Sequence, residues 1–182
     1  DGESQAVIVA GHSEAAGRLA RTVQGTVTEL TGTPLRIVSD TAPQAALPPS
    51  TNLILIGNRN TNRAISHLYD AFYTLVDRKY PGPGGYVIRT VHNPYGNGRN
   101  VVVIGASDVD GLDRAATILG EHLRSRESSA GQLVLEPTSL IELGDGVEVP
   151  EDWRDVQIWE ASRTYGSSGY FGWNMISKLM AL

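Results

Sequence analysis

The order in which apolar strands and amphipathic helices follow one another is what most restricts the fold of this chain. Three apolar runs, at residues 5–10, 52–57 and 100–104, each lead into a stretch whose apolar residues recur at helical spacing. Short apolar runs bounded by turn residues are typical of strands that are buried on both faces. Strands of that kind need helices on both sides of the sheet, so the sequence predicts layers of strands and helices.

A hairpin interrupts the alternation of strands and helices. Residues 86–91 and 100–104 are two valine-rich strands, and the connecting HNPYGNGR is rich in the Asn, Pro and Gly of turns. We therefore predict an α/β fold (an α+β sandwich) with a mixed sheet of about five or six strands and three helices. Further strands are predicted at 34–39 and 132–136, and the helices at 14–30, 63–78 and 109–124.

Short polar side chains stand where each predicted helix begins. Such side chains accept hydrogen bonds from the free N–H groups of the first helical turn. The predicted caps are Ser13 for the first helix, Asn60 or Thr61 for the second, and Asp108 or Ser107 for the third.

Composition limits the classes of protein to which the chain can belong. Its 182 residues, 41% of them apolar, suit one domain, or one domain with a short appendage. There is no cysteine, which excludes disulfides and cysteine-ligated zinc and suits an oxidising exterior. The net charge is −5 with no run of basic residues, and no apolar run is long enough to span a bilayer. We expect no nucleic-acid partner and no membrane span. Because the sequence begins with Asp1 rather than Met, we expect a secreted or cell-surface protein or an excised fragment.

Two strand-to-helix junctions have the residue types of ligand sites but not the spacing. Gly11 and Gly17 are one residue too far apart for a phosphate loop of the Walker type, and the Lys-Ser/Thr pair is missing. Asp108 and Asp110 suit the first turn of a helix better than a metal site. The histidines lie at no zinc-binding spacing, so we expect neither a metal nor a cofactor.

The character of the sequence changes after Pro137. We predict an α/β domain at 1–137, then a linker and an aromatic-rich C-terminal helical segment at 138–182, which begins a second unit or forms a docking tail. Exposed aromatic side chains stack on sugar rings or on protein surfaces, whereas buried ones fill the seam between two domains. The candidate glycan or partner contacts are Trp153, Trp159, Tyr170, Phe171 and Trp173 in this segment, and Tyr95 in the hairpin loop.

Three stretches carry a resemblance to a known family. GGYVIRTV at 84–91, RNVVVIGASDVDGLDRAATIL at 99–119 and NLILIGN at 52–58 resemble the accessory domain that precedes the catalytic barrel in family 20 β-hexosaminidases and family 67 α-glucuronidases. The resemblance implies a non-catalytic α+β domain, and it supplies no catalytic residue because the hexosaminidase Asp-Glu signature is absent. SSGYFGWNMISKLMAL at 167–182 resembles the first helix of an α/α-toroid, as in some polysaccharide lyases and glycosidases.

Three functions remain open from the sequence. The first is a secreted, non-catalytic accessory module that packs on a catalytic domain of a glycoside hydrolase or polysaccharide lyase and contacts polysaccharide. The second is an extracellular structural subunit that associates with identical subunits through its aromatic segment. The third is a small enzyme that uses His12, Asn58 and Asp108, which all follow predicted strands.

Overall fold

A computed structural model of the chain describes residues 6–124 and 138–144, which form an α+β fold with a mixed six-stranded sheet and three helices. The fold class predicted from the sequence is confirmed. The strands are β1 (Ala6–Ala10), β2 (Arg36–Ser39), β3 (Asn52–Gly57), β4 (Tyr86–Val91), β5 (Val101–Ala106) and β6 (Ser139–Glu142). The helices are α1 (Glu14–Thr31), α2 (Arg63–Asp70) and α3 (Val109–Arg124), and Pro43–Ala45 forms a short 3-10 helix.

The strands lie in the order β2-β1-β3-β5-β4-β6. The first four are parallel, whereas β4 is antiparallel to both of its neighbours, β5 and β6. The predicted hairpin is therefore the antiparallel pair β4 and β5. Because β6 runs in the same direction as β5, both strands end at the same edge of the sheet. Tyr86 of β4 marks this level, since it pairs with Ala106 on one side and with Glu142 on the other.

Apolar side chains fill the space on both faces of the sheet. Helices α1 and α3 cover one face, where Ile8, Ile56 and Ile104 are fully buried. Helix α2 covers part of the other face, where Val9 and Leu55 are fully buried. Successive residues of each strand thus face opposite layers, which is why these strands have no polar alternation in the sequence.

The second helix ends at Asp70, not at residue 78 as the sequence predicted. Ala71 forms the C-cap, and Phe72 has a φ of 61°, in the left-handed region that a bulky side chain rarely adopts. Aromatic and β-branched residues at 72–74 are weak helix formers, so little opposes this early stop. Leaving the helix lets the chain bury Val76 against the sheet, whereas Phe72 is 50% exposed.

Two further elements differ from the sequence prediction. The N-cap of α2 is Asn62, directly before the helix, rather than Asn60 or Thr61. The strand predicted at 132–136 lies outside the described residues. Residues Ser139–Glu142, predicted to begin the linker, form β6 and pair with β4, so the sheet continues past residue 137.

Candidate functional site

The carboxyl ends of β1, β3 and β5 meet at one edge of the sheet. The connection from β1 leads to β2 on one side, whereas β3 leads on to β4 and β5 on the other, and ligands of open α/β sheets bind where connections diverge in this way. A cleft of about 400 Å³ lies at this edge. Its lining residues are Ser13, Ala15, Asn58, Thr61, Arg78, Ser107, Asp108, Val109 and Leu112.

Asn58, at the end of β3, is buried and fully engaged with the backbone. Its side-chain Nδ2 donates to the carbonyl of Ala106 at 2.9 Å, which ties β3 to β5. Its Oδ1 accepts from the N–H of Asn60 at 3.0 Å and from the hydroxyl of Thr61. The amide therefore shapes the turn after β3 and has little capacity left for a ligand.

Asp108, at the end of β5, caps α3 and is one of the two residues predicted for this cap. Its carboxylate accepts from the N–H of Gly111 at 2.9 Å, in the first helical turn, and from the N–H of Gly84 at 3.0 Å. The adjacent Ser107 accepts from the N–H of Gly82 at 3.0 Å. Both side chains thus hold the glycine-rich loop before β4 against the start of α3.

Ser13, at the end of β1, caps α1 as predicted, since its hydroxyl accepts from the N–H of Ala16 at 3.1 Å. His12 is exposed and does not line the cleft, and its backbone N–H donates to the carbonyl of Thr61 at 2.9 Å. Gly11 is needed at the junction because a Cβ there would collide with that same carbonyl. The residues of the enzyme hypothesis are therefore divided: Asn58 and Asp108 line the cleft, whereas His12 lies outside it.

Asn62 joins β1, β3 and the start of α2 at this edge, and the sequence analysis did not identify it. Its side chain is 1% exposed and donates to the carbonyls of Val9 and Ile56, both at 3.1 Å. Its Oδ1 accepts from the N–H groups of Ala64 at 3.0 Å and Ile65 at 3.3 Å. Its position directly before the helical pattern was the available signal, but the two bonds to β1 and β3 leave no trace in the sequence.

Tyr95, the candidate contact in the hairpin loop, packs against the core cluster that contains Val9 and Leu55. Its hydroxyl is buried and has no hydrogen-bond partner within the described part of the chain. Burial, with a smaller contribution from the nearby Tyr73, raises the pKa of Tyr95 to about 12. The hydroxyl thus lies inside the fold, and contact between Tyr95 and a glycan stays a prediction.

The other candidate contacts lie outside the described residues. Trp153, Trp159, Tyr170, Phe171 and Trp173 all belong to the C-terminal segment, and their part in glycan or partner contact stays a prediction.

Two structural searches bear on other classes of site. In residues 6–124 and 138–144, no three His, Asp or Glu side chains are grouped as metal ligands would be. None of the helices in that same part of the chain has both the length and the apolarity to cross a membrane.

A scan of the sequence against protein-family models finds no matching family, and a search of curated proteins finds no matching relative.

Proposed function

We propose that this chain is a non-catalytic accessory module of a secreted or cell-surface carbohydrate-active protein, which packs on a catalytic unit and contacts polysaccharide. The observation that carries the proposal is the use of the polar side chains at the strand ends. This is the edge at which α/β enzymes place reactive groups, yet here Ser13, Asn58 and Asp108 bind the protein's own backbone.

A catalytic role for these side chains would require them to leave those bonds. Asp108 accepts from two backbone N–H groups in different segments, at Gly84 and Gly111. Removing an acceptor from a part-buried N–H leaves that donor unsatisfied, which costs about 1–3 kcal/mol. A general base is more useful when its lone pairs point at a substrate proton. The geometry therefore favours a scaffold over an acid–base site.

The aromatic segment supports the choice of polysaccharide as ligand. Trp153, Trp159, Tyr170, Phe171 and Trp173 follow residues whose buried apolar side chains form a core on each face of the sheet. Aromatic faces stack on the apolar faces of sugar rings, and this contact tolerates many glycans. The absence of cysteine suits an exported protein, since no free thiol is exposed to oxidation.

Affinity electrophoresis of the full chain tests this function. The native chain should be retarded by gels that contain one or more neutral or acidic polysaccharides, and W159A and W173A should each reduce the retardation. The control is D108N, which keeps a cap acceptor and removes the carboxylate: retardation should be unchanged.

Two outcomes would contradict the proposal. Retardation by no polysaccharide, together with large assemblies in sedimentation experiments, would favour the extracellular structural subunit. A hydrolytic or lyase activity of the chain that D108N abolishes would favour the enzyme.

A further inference from the structure

The loop between β4 and β5 contains the only Asn-Gly pair in the sequence, Asn97 and Gly98. Both residues are exposed to solvent. The pair suits a hairpin turn, in which Gly98 has a left-handed φ of 77°. An Asn-Gly pair is also chemically labile, because glycine has no Cβ to keep its backbone nitrogen away from the preceding side-chain amide. The turn therefore places a reactive pair at the surface of the fold.

Deamidation at such a pair needs no enzyme. The backbone nitrogen of Gly98 attacks the side-chain carbonyl carbon of Asn97, so that a C–N bond forms and the bond from that carbon to Nδ2 breaks. The proton of the Gly98 N–H leaves with the Nδ2 group as ammonia. Water then opens the cyclic imide at either of its carbonyls, which leaves aspartate or isoaspartate at position 97. Water is the only co-reactant, and nothing is oxidised or reduced.

The attacking nitrogen is hydrogen-bonded in the folded chain. The N–H of Gly98 donates to the side-chain Oδ1 of Asn93 at 2.7 Å, which is at the short end of the range for such bonds. Asn93 is itself fixed, because it has a left-handed φ of 44° and its N–H donates to Oδ1 of Asn100 at 3.1 Å. The nitrogen must leave its bond to Asn93 before it can lose its proton and turn toward the Asn97 side chain.

The side chain under attack is held at both of its polar atoms. Nδ2 of Asn97 donates to the carbonyl of Pro49 at 2.7 Å, and Oδ1 accepts from the N–H of Arg99 at 3.1 Å. Ring closure requires the amide to rotate until its carbon faces the nitrogen of Gly98, and this rotation breaks at least one of the two bonds. The folded loop thus opposes the reaction at both of the reacting groups.

We propose that Asn97 is a site of spontaneous deamidation, and that Asn93 sets its rate in the folded chain. The pair reacts when the loop opens, and the bond from Gly98 to Asn93 keeps the loop closed. Isoaspartate at position 97 adds a methylene group to the backbone and removes the donor to Pro49, so the modified hairpin loop loses this tie to the segment before β3. Asn93 is a positioning residue and takes no part in the chemistry.

Mass spectrometry of the full chain, incubated near neutral pH and then digested, measures the fraction of residue 97 that has changed from amide to acid. N93G removes the acceptor and keeps the left-handed φ, which glycine adopts freely. It should deamidate at Asn97 about fivefold faster than the native chain, equivalent to the loss of one hydrogen bond of ~1 kcal/mol. The matched control is N93D, which keeps an oxygen acceptor at the same place and should react no faster than the native chain.

The native chain in guanidinium chloride supplies the reference rate, because the bonds to Asn93, Pro49 and Arg99 are all absent there. Asn97 should react at least about tenfold more slowly in buffer than in the denaturant. Circular dichroism checks that N93G is folded. If it is not, hydrogen exchange at the Gly98 amide decides: slow exchange in both the native chain and N93D supports the proposal, and exchange at the unprotected rate overturns it.

Three results on deamidation would also overturn the proposal. They are equal rates at Asn97 in buffer and in denaturant, equal rates in folded N93G and N93D, and no reaction at Asn97 in denaturant. None of these measurements involves a glycan or the aromatic segment, so the outcome is independent of the proposed function.

Discussion

Replacing Asn62 with serine, alanine or aspartate would separate the two kinds of hydrogen bond that its side chain makes. The carbonyl oxygen caps α2 by accepting from Ala64 and Ile65, whereas the NH₂ group joins the ends of β1 and β3 by donating to Val9 and Ile56. Serine keeps a cap acceptor but cannot reach both carbonyls. Alanine loses both functions, and aspartate keeps the cap but points a second oxygen at two carbonyl oxygens.

The magnitudes follow from this division. Loss of a helix N-cap costs about 1 kcal/mol, and each buried hydrogen bond to a carbonyl contributes about 1 kcal/mol. The carbonyl of Ile56 also accepts from the N–H of Gly11 at 2.9 Å, so it is not left unsatisfied. We expect N62S to lower the free energy of unfolding by about 2 kcal/mol and N62A by about 3 kcal/mol. N62D should lose about 4 kcal/mol, because one oxygen of a buried carboxylate would face the carbonyl oxygens of Val9 and Ile56 with no donor between them.

Urea unfolding followed by far-ultraviolet circular dichroism measures these differences, with an unchanged slope as the check that the denatured state is the same. N62D also predicts a dependence on pH. A carboxyl group that faces carbonyl oxygens in a buried site has a pKa above its value in the unfolded chain. Stability of N62D should therefore rise as the pH falls from 7 to 4, whereas N62S should show no such change relative to the native protein. An N62D protein as stable as the native one at pH 7 would refute the assignment of the NH₂ group to the strand carbonyls.

Three further variants test the packing. Y95F removes a buried hydroxyl with no partner in the described part of the chain, so unfolding should require about 1 kcal/mol more free energy; a loss of stability would reveal a partner. Because burial first, and Tyr73 second, raise the pKa of Tyr95 to about 12, its proton stabilises the fold below pH 10, and this contribution is lost between pH 10 and 12. Y95F should flatten that alkaline decline, as pH titration of the unfolding midpoint would show. G25A should raise stability by about 1 kcal/mol, because Gly25 lies in the middle of α1 and a Cβ there would contact no other atom. G111A should lower stability by at least ~2 kcal/mol, since its Cβ would collide with the carbonyl of Gly85; equal thermal shifts for G25A and G111A would contradict the close approach.

The sequence by itself determined the features that depend on neighbouring residues. The hairpin of β4 and β5 and the caps Ser13 and Asp108 were predicted correctly, because turn residues and capping side chains act on backbone groups within a few positions. Five strands of the mixed sheet also followed from local signals, since continuous apolar runs identify strands that must be covered on both faces, whereas β6 was predicted as linker.

Only the tertiary structure decided which of these elements meet and where some of them stop. The end of α2 at Asp70 depends on the burial of Val76 against β5, a contact between segments far apart in the sequence that outweighs the local helical pattern. Asn62 became central because β1 and β3 lie side by side, and the cleft exists because three strand ends share one edge. Propensities and spacings are short-range, whereas strand order and register are set by the burial of apolar faces across the whole chain, so no window of the sequence contains them.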